Sequence, residues 1–213
     1  MSIKSIKHNP FAIVKHFEEE IAEYTGAPYA VAVDSCTNAL FLSLLWWKLY
    51  KGVYVDKTYV VIPKKTYLSV PQSAIHAGYS VEFKNIKWSG TYNLMPTPVW
   101  DSAKKLTSDM YIPGSLMCLS FHIKKTLPLG KGGMILCDDI EAVKWLKIAR
   151  YEGRSEKNYD DDDISFCGWN MYMTPEQAAR GLTLMQNYSE HVEDLGERNG
   201  YRDLTELTLF KDM

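Results

Sequence analysis

Apolar side chains recur along the chain at two spacings, one typical of helices and one typical of strands. Residues 11–24 place an apolar face at helical spacing, formed by Ile13, Val14, Phe17, Ile21 and Tyr24. Tyr29–Val33 is a short β-branched and aromatic run, which predicts a buried strand. The polar residues 34–38 then supply helix-capping side chains before an apolar helix that is predicted to end near Leu49.

The two spacings alternate through the rest of the chain. Further strands are predicted at residues 58–62, 81–83, 117–121 and 133–137, and further helices at 70–77, 139–150 and 174–188. Strands that alternate with helices predict an α/β layered fold with a largely parallel sheet.

Composition and charge exclude several classes of protein. The chain has 213 residues and a formal net charge of -2, so no overall charge attracts nucleic acid or an anionic membrane. The first residues lack the apolar run of a signal peptide, and the apolar run 39–47 is too short to span a bilayer. The 4 cysteines form no CxxC pair, and the acidic run 160–163 has no matching ligands around it. We therefore expect a cytoplasmic protein with reduced thiols and no metal site.

Three segments contain residues that could carry chemistry. Ser35-Cys36-Thr37-Asn38 is a polar turn between a strand and a helix, where free N–H groups and hydroxyls can bind an anion, although such residues also simply cap helices. The segment SFHIKKTLPLGKGG, residues 120–133, places two lysines in a glycine-rich turn, where a desolvated lysine becomes a nucleophile, or in an ordinary surface loop. Asp101 follows an apolar dipeptide and is either a partner for a buried cation or a cap.

The order of these and other motifs resembles a known enzyme family. SCTNAL, PKKTY, TYNLMP, DSAK, SFHIKKTLPLGKGG and GWNMYMTPEQAARGL follow one another along the chain. Together they resemble the DegT/StrS family of fold-type-I pyridoxal-phosphate enzymes, which aminate nucleotide-linked keto sugars. The family's lysine motif reads S-F-H-P-x-K-x-x-x-x-G-E-G-G, and counting back from Gly130 selects Lys125 rather than Lys124 as the Schiff-base residue.

The resemblance implies a fold and a set of cofactor-binding residues. It implies a three-layer large domain with a mostly parallel sheet over residues 1–188, and a remnant of the small C-terminal domain over 189–213. It implies that Lys125 binds the cofactor and transfers a proton, and that Asp101 pairs with the pyridine nitrogen. The other implied contacts are Tyr67 on the cofactor ring, Lys104 at its phenolic oxygen, Ser35, Thr37, Asn38 and Ser120 at its phosphate, and Asn170 at the phosphate of a second subunit in a homodimer.

The chain departs from the family pattern at several points. Cys36 replaces a glycine, Lys104 a glutamine or histidine, Ile123 a proline, and Lys131 a glutamate. A strand–helix segment usual between Pro96 and Asp101 is missing, and the sequence given is little more than half the family's usual length. These differences affect the substrate side of the expected site more than the cofactor side.

Three functions are compatible with this pattern. The first is transamination of a nucleotide-linked keto sugar in polysaccharide or sugar biosynthesis, with glutamate as amino donor. The second is sugar dehydration, against which Lys125 argues because relatives that dehydrate carry histidine there. The third is a degenerate protein that binds pyridoxal phosphate without full transaminase activity.

Overall fold

The computed structural model describes residues 9, 11–51, 59–195 and 200–211. The helices are α1 Ala12–Thr25, α2 Cys36–Trp46, α3 Ser69–His76, α4 Ile140–Ala149 and α5 Pro175–Met185. The strands are β1 Tyr29–Val33, β2 Tyr59–Pro63, β3 Ser80–Lys84, β4 Tyr92–Asn93, β5 Val99–Asp101, β6 Leu116–Ser120 and β7 Gly133–Cys137. A π-helical turn at Trp47–Lys51 extends α2, and short 3₁₀ turns lie at Tyr159–Asp161, Leu204–Glu206 and Thr208–Phe210.

The main sheet has five strands in the order β1-β7-β6-β5-β4. β5 and β6 are parallel, whereas β7 is antiparallel to both β1 and β6. β6 and β7 are joined by residues 121–132 without a crossover helix, and such a connection favours antiparallel pairing. β2 and β3 form a separate parallel pair. The α/β prediction is confirmed, and the sheet is mixed.

Helices cover both faces of the main sheet, as the three-layer prediction requires. Along β1, Val31 and Val33 belong to the apolar core shared with α2, α3 and α4. Ala30 and Ala32 belong to the core shared with α1 and α5. This alternation is what a strand buried on both faces produces.

A buried ion network joins α1, β1 and α4. The carboxylate of Glu18 accepts hydrogen bonds from the backbone N–H of Ala32, at 2.8 Å, and from the guanidinium of Arg150. Arg150 also donates to the carbonyl of Ala32, and the Lys147 ammonium lies 3.2 Å from Glu18. The side chains of Glu18 and Arg150 are 4% and 6% exposed, so each charge depends on the other for compensation.

The C-terminal segment, residues 200–211, lies against β2 and β3. The N–H of Leu204 donates to the carbonyl of Lys64 at 2.8 Å, and the Lys64 ammonium lies 2.7 Å from the Asp203 carboxylate. Leu204 and Phe210 are buried, and the Phe210 ring packs on Phe83. The assignment of residues 189–213 to a separate small domain stays a prediction. No helix in the described part of the chain is long and apolar enough to cross a membrane.

The buried ion network leads to a stability prediction. We expect Glu18→Ala to lower the free energy of unfolding by about 3–5 kcal/mol, because it leaves Arg150 buried without its anion. Glu19→Ala is the matched control on the same helix, since Glu19 is exposed and its ion pairs within the described residues are with the exposed Lys15 and His16. The control should cost less than about 0.5 kcal/mol. Urea denaturation measures both, and equal losses would contradict the assigned role of Glu18.

Candidate active site

The turn between β1 and α2 is held by a close backbone approach from β7. Ser35 forms an isolated bridge with Gly132, and β1 pairs with β7 as far as Gly133. A Cβ atom added at Gly133 would lie 2.4 Å from the carbonyl carbon of Ser35 and 2.6 Å from the nitrogen of Cys36. Only glycine fits there, so the glycine-rich segment that carries the lysines is packed directly against the start of α2.

The side chains of this turn hydrogen-bond to one another. Ser35 Oγ accepts from the N–H of Asn38 at 3.2 Å, as the helix-capping interpretation predicts. Thr37 Oγ1 donates to Ser69 Oγ at 2.8 Å, and the Asn38 amide donates to Asp34 at 2.6 Å. These bonds orient the hydroxyls around the positive end of α2, where an anion is favoured.

Asp101, at the end of β5, is a buried carboxylate with two direct hydrogen bonds. It is 4% exposed and accepts from the Tyr92 hydroxyl and from the N–H of Ala103, both at 2.9 Å. Burial raises the pKa of Asp101, whereas these two hydrogen bonds and the positive charges of Lys125 and Lys104 act to lower it. A carboxylate in this setting is suited to pair with a buried cationic ligand group.

Lys125 and Lys124 differ in their surroundings. Lys125 is half-buried and its N–H donates to the carbonyl of His122 at 2.8 Å, whereas Lys124 is exposed. Burial raises the pKa of Cys36, at the start of α2, and the positive charge of Lys125 lowers it, as it does for Asp101. Lys125 is thus the less exposed of the two lysines, and its selection as the Schiff-base residue stays a prediction.

The other candidate residues, Tyr67, Ser120 and Lys104, differ in their exposure and in their neighbours. Tyr67 is 60% exposed, with its ring 6.4 Å from that of Tyr201. Ser120, half-buried at the end of β6, accepts from the N–H of His122 at 3.4 Å. Lys104 lies over two aromatic rings and acts on the pKa of Asp101.

Asn170 is separate from this group. It is exposed, donates to Glu152 at 2.8 Å and forms an isolated bridge with Tyr151. No described contact joins it to Asp101 or Lys125 within this chain.

Sequence reasoning missed the residues that support Asp101. The Tyr92 hydroxyl lies 2.6 Å from Thr66 Oγ1, so Thr66, Tyr92 and Asp101 form one buried hydrogen-bonded chain. Thr66 lies in the motif PKKTY and Tyr92 in TYNLMP, so membership of these motifs could have identified them. Tyr201 lies outside every motif, and no sequence signal pointed to it. Among the described residues, no group of three or more His, Cys, Asp or Glu side chains could hold a metal ion.

Comparison with known proteins identifies close architectural relatives. The model of the DegT/DnrJ/EryC1/StrS aminotransferase family matches residues 6–108 and 112–200. A Campylobacter jejuni UDP-4-amino-4,6-dideoxy-N-acetyl-beta-L-altrosamine transaminase is 24% identical over 89% of this chain and 61% of its own. The Bacillus subtilis spore coat polysaccharide biosynthesis protein SpsC is 26% identical over 79% of this chain and 55% of its own.

Solved structures show the same fold. Helicobacter pylori PseC, an aminotransferase of pseudoaminic acid biosynthesis, superposes with a TM-score of 0.66 at 17% identity, covering 86% of this chain and 58% of PseC. 3-Amino-5-hydroxybenzoic acid synthase gives a TM-score of 0.64 at 22% identity, covering 82% and 55%. The chain spans 55–61% of the length of the two curated relatives described above.

The raised pKa of Asp101 predicts a pH dependence of stability in the cofactor-free protein. An acid whose pKa is higher in the folded state binds its proton more tightly there, so stability falls as pH rises through that pKa. Asp101→Asn has no carboxyl group to titrate at this position. The free energy of unfolding of the variant minus that of wild type should therefore increase as pH rises.

Asp203 is a control of opposite sign. Its pKa is lowered to about 2, first by the hydrogen bond from Lys64, so it contributes stability that is lost as pH falls through that range. Asp203→Asn should therefore lose stability relative to wild type as pH rises. Urea unfolding of both variants across a pH series measures the effect. A difference for Asp101→Asn that does not change with pH would contradict the buried-carboxylate assignment.

Proposed function

The chain belongs to the DegT/DnrJ/EryC1/StrS aminotransferase family, and on that basis we propose that it is a pyridoxal-phosphate-dependent aminotransferase acting on a nucleotide-linked keto sugar. Glutamate is the proposed amino donor. The observation that carries the proposal is that Cys36, at the start of α2, donates to the carbonyl of Cys118, the register partner of the buried Asp101, while Ser35 bridges to Gly132 in the segment that carries Lys125. A covalent anchor, an anion-binding helix end and a buried carboxylate are thus available in one place.

The residues present fit this cofactor. Its phosphate is an anion that suits the N–H groups of α2 and the hydroxyls of Ser35, Thr37 and Ser120, with Asn38 at the same turn. Its ring nitrogen, when protonated, is a cation that suits Asp101, whose Oδ2 and Oδ1 are already oriented by Tyr92 and Ala103. When bound, the cofactor supplies an electron sink for bond changes at the substrate carbon.

Each residue then has a separate task. Lys125 carries the cofactor covalently and moves a proton at the substrate carbon through its ε-amino group. Asp101 would pair with the ring nitrogen and favour its protonated form, because a buried carboxylate favours a cationic partner. Tyr67 covers the ring face with an aromatic surface, and Lys104 places a positive charge beside the phenolic oxygen.

The names of the relatives support the substrate class. They include a transaminase of a UDP-linked amino sugar in Campylobacter jejuni and a GDP-perosamine synthase in Caulobacter vibrioides. SpsC belongs to spore coat polysaccharide biosynthesis. We place this activity in the cytoplasm, where unpaired thiols such as Cys36 and Cys118 stay reduced.

We also propose a homodimer in which Asn170 completes the phosphate site of the second subunit. The exposed position of Asn170, away from Asp101 in its own chain, supports this role. Asn170→Ala should weaken cofactor binding by about 1.5–3 kcal/mol, the value of a hydrogen bond to a charged group. Asn158→Ala, at another exposed asparagine, is the control and should leave the affinity unchanged. A monomer in sedimentation velocity with full cofactor affinity would contradict the proposal.

The function is tested by following the visible absorbance of the cofactor-loaded protein. Borohydride reduction should link the cofactor covalently to the Lys125 side chain. Without reduction, glutamate should bleach the visible absorbance band of the lysine-bound cofactor in wild-type protein and in Lys124→Ala, because both keep Lys125. Lys125→Ala should show no lysine-bound band. A panel of nucleotide-linked 4-keto and 3-keto sugars, added after glutamate, should restore the band.

We expect bleaching by glutamate to be faster than restoration by the sugar. A small amino acid needs only to reach Lys125 and Asp101, whereas a nucleotide sugar needs walls that orient its carbonyl. Between β4 and β5 the chain has only the short turn 94–98 on that side of Asp101. A stable band that no amino donor bleaches would favour a degenerate cofactor-binding protein. Labelling of Lys124 would contradict the proposed register.

A further inference from the structure

The Lys104 side chain lies on a pair of aromatic rings. Its ammonium nitrogen is 4.5 Å from the centroid of the Tyr201 ring and 5.3 Å from that of Trp88. The two rings are stacked, with centroids 5.8 Å apart and planes 20° from parallel. Both distances lie within the range in which a cation is attracted to the face of an aromatic ring.

Tyr201 reaches this position because the C-terminal segment is anchored directly after it. The Asp203–Lys64 ion pair and the backbone bond from Leu204 to Lys64 attach the segment beside β2. Leu204 and Phe210 are each 2% exposed, so apolar burial fixes the segment further along. Tyr201 is therefore held by contacts that do not involve Lys104.

The aromatic pair is connected to Asp101 through direct contacts. The indole N–H of Trp88 donates to the carbonyl of Lys65 at 3.0 Å, which fixes the Trp88 ring. That ring lies 4.7 Å from the ring of Tyr92, whose hydroxyl donates to Asp101. Lys104 follows Asp101 by three residues, and its ammonium lies over the Trp88 ring that contacts Tyr92, the hydroxyl donor to Asp101.

We propose that Tyr201 is a positioning residue that, together with Trp88, holds the Lys104 ammonium on the side of Asp101, so that an aromatic ring of the C-terminal segment fixes the positive charge of Lys104 at the cofactor site. The role of this charge rests on the proposed function. A fixed cation opposes the gain of a proton by neighbouring groups. It therefore lowers the pH at which the lysine–cofactor link changes protonation state.

The first test uses the cofactor-free protein labelled with ¹³C at the lysine Cε atoms. Ring currents of Trp88 and Tyr201 should shift the Lys104 signal away from the other lysines, and Lys104→Gln assigns it by its loss. Tyr201→Ala should move the signal toward the position of an exposed lysine. Tyr201→Phe keeps the ring and should leave the signal near its wild-type position. A Lys104 signal that Tyr201→Ala does not move would overturn the proposal.

The second test follows the visible absorbance of the loaded protein as a function of pH. Lys104→Gln should raise the midpoint of this absorbance titration by about one pH unit, because a neighbouring positive charge that opposed protonation is lost. Tyr201→Ala should raise it in the same direction, and Tyr201→Phe should keep the wild-type midpoint. Because Tyr201 acts through Lys104, the double variant Lys104→Gln/Tyr201→Ala should move no further than Lys104→Gln alone.

The two tests separate this proposal from the proposed function. Additive shifts in the double variant would overturn the positioning role, because they would show that Tyr201 acts independently of Lys104. The expected NMR shifts in a protein that shows no lysine-bound cofactor band would support the placement of Lys104 and overturn both its cofactor role and the proposed function.

Discussion

The contact between the backbone of Gly133 and the turn before α2 sets the geometry on which the candidate site depends. β7 pairs with β1 on one side and with β6 on the other, so its first residue lies where three segments meet. No side chain fits between Gly133 and Ser35. Because of that approach, the N-terminal end of α2, the end of β6 and the loop that carries Lys125 occupy one edge of the sheet.

Two buried carboxylates show how the same group can serve stability or chemistry. The Glu18 carboxylate is neutralised by Arg150 and Lys147 and accepts a backbone N–H, so all of its partners belong to the fold itself. Asp101 is oriented by a hydroxyl and a backbone N–H, and the lysines near it act only through space. The fold therefore leaves Asp101 with the capacity to accept a cationic ligand group, whereas Glu18 is fully engaged.

Local pattern was sufficient for most elements and for the fold class. β6 and β7 were predicted within a residue, and the capping box at Thr174 and Gln177 marked the start of α5. The antiparallel pairing of β7 with β1 and β6 was not predictable, because hydrophobic periodicity identifies a strand but not its neighbours or its direction in the sheet. Lys125 and Asp101 were selected by resemblance and stay predictions. Tyr201 could not be selected at all, because its contacts are set by burial of Leu204 and Phe210 rather than by any local motif.

The antiparallel place of β7 also combines a local and a long-range strand pairing in one strand. β6 and β7 are near neighbours in sequence, so their pairing closes a short loop, whereas β1 joins β7 from a point about a hundred residues earlier in the chain. Long-range pairing of that kind carries a loop-closure cost that slows folding. The turn at Ser35 and Gly132 therefore forms only when two strands about a hundred residues apart have paired, so a ligand held there stabilises the folded state relative to the unfolded chain.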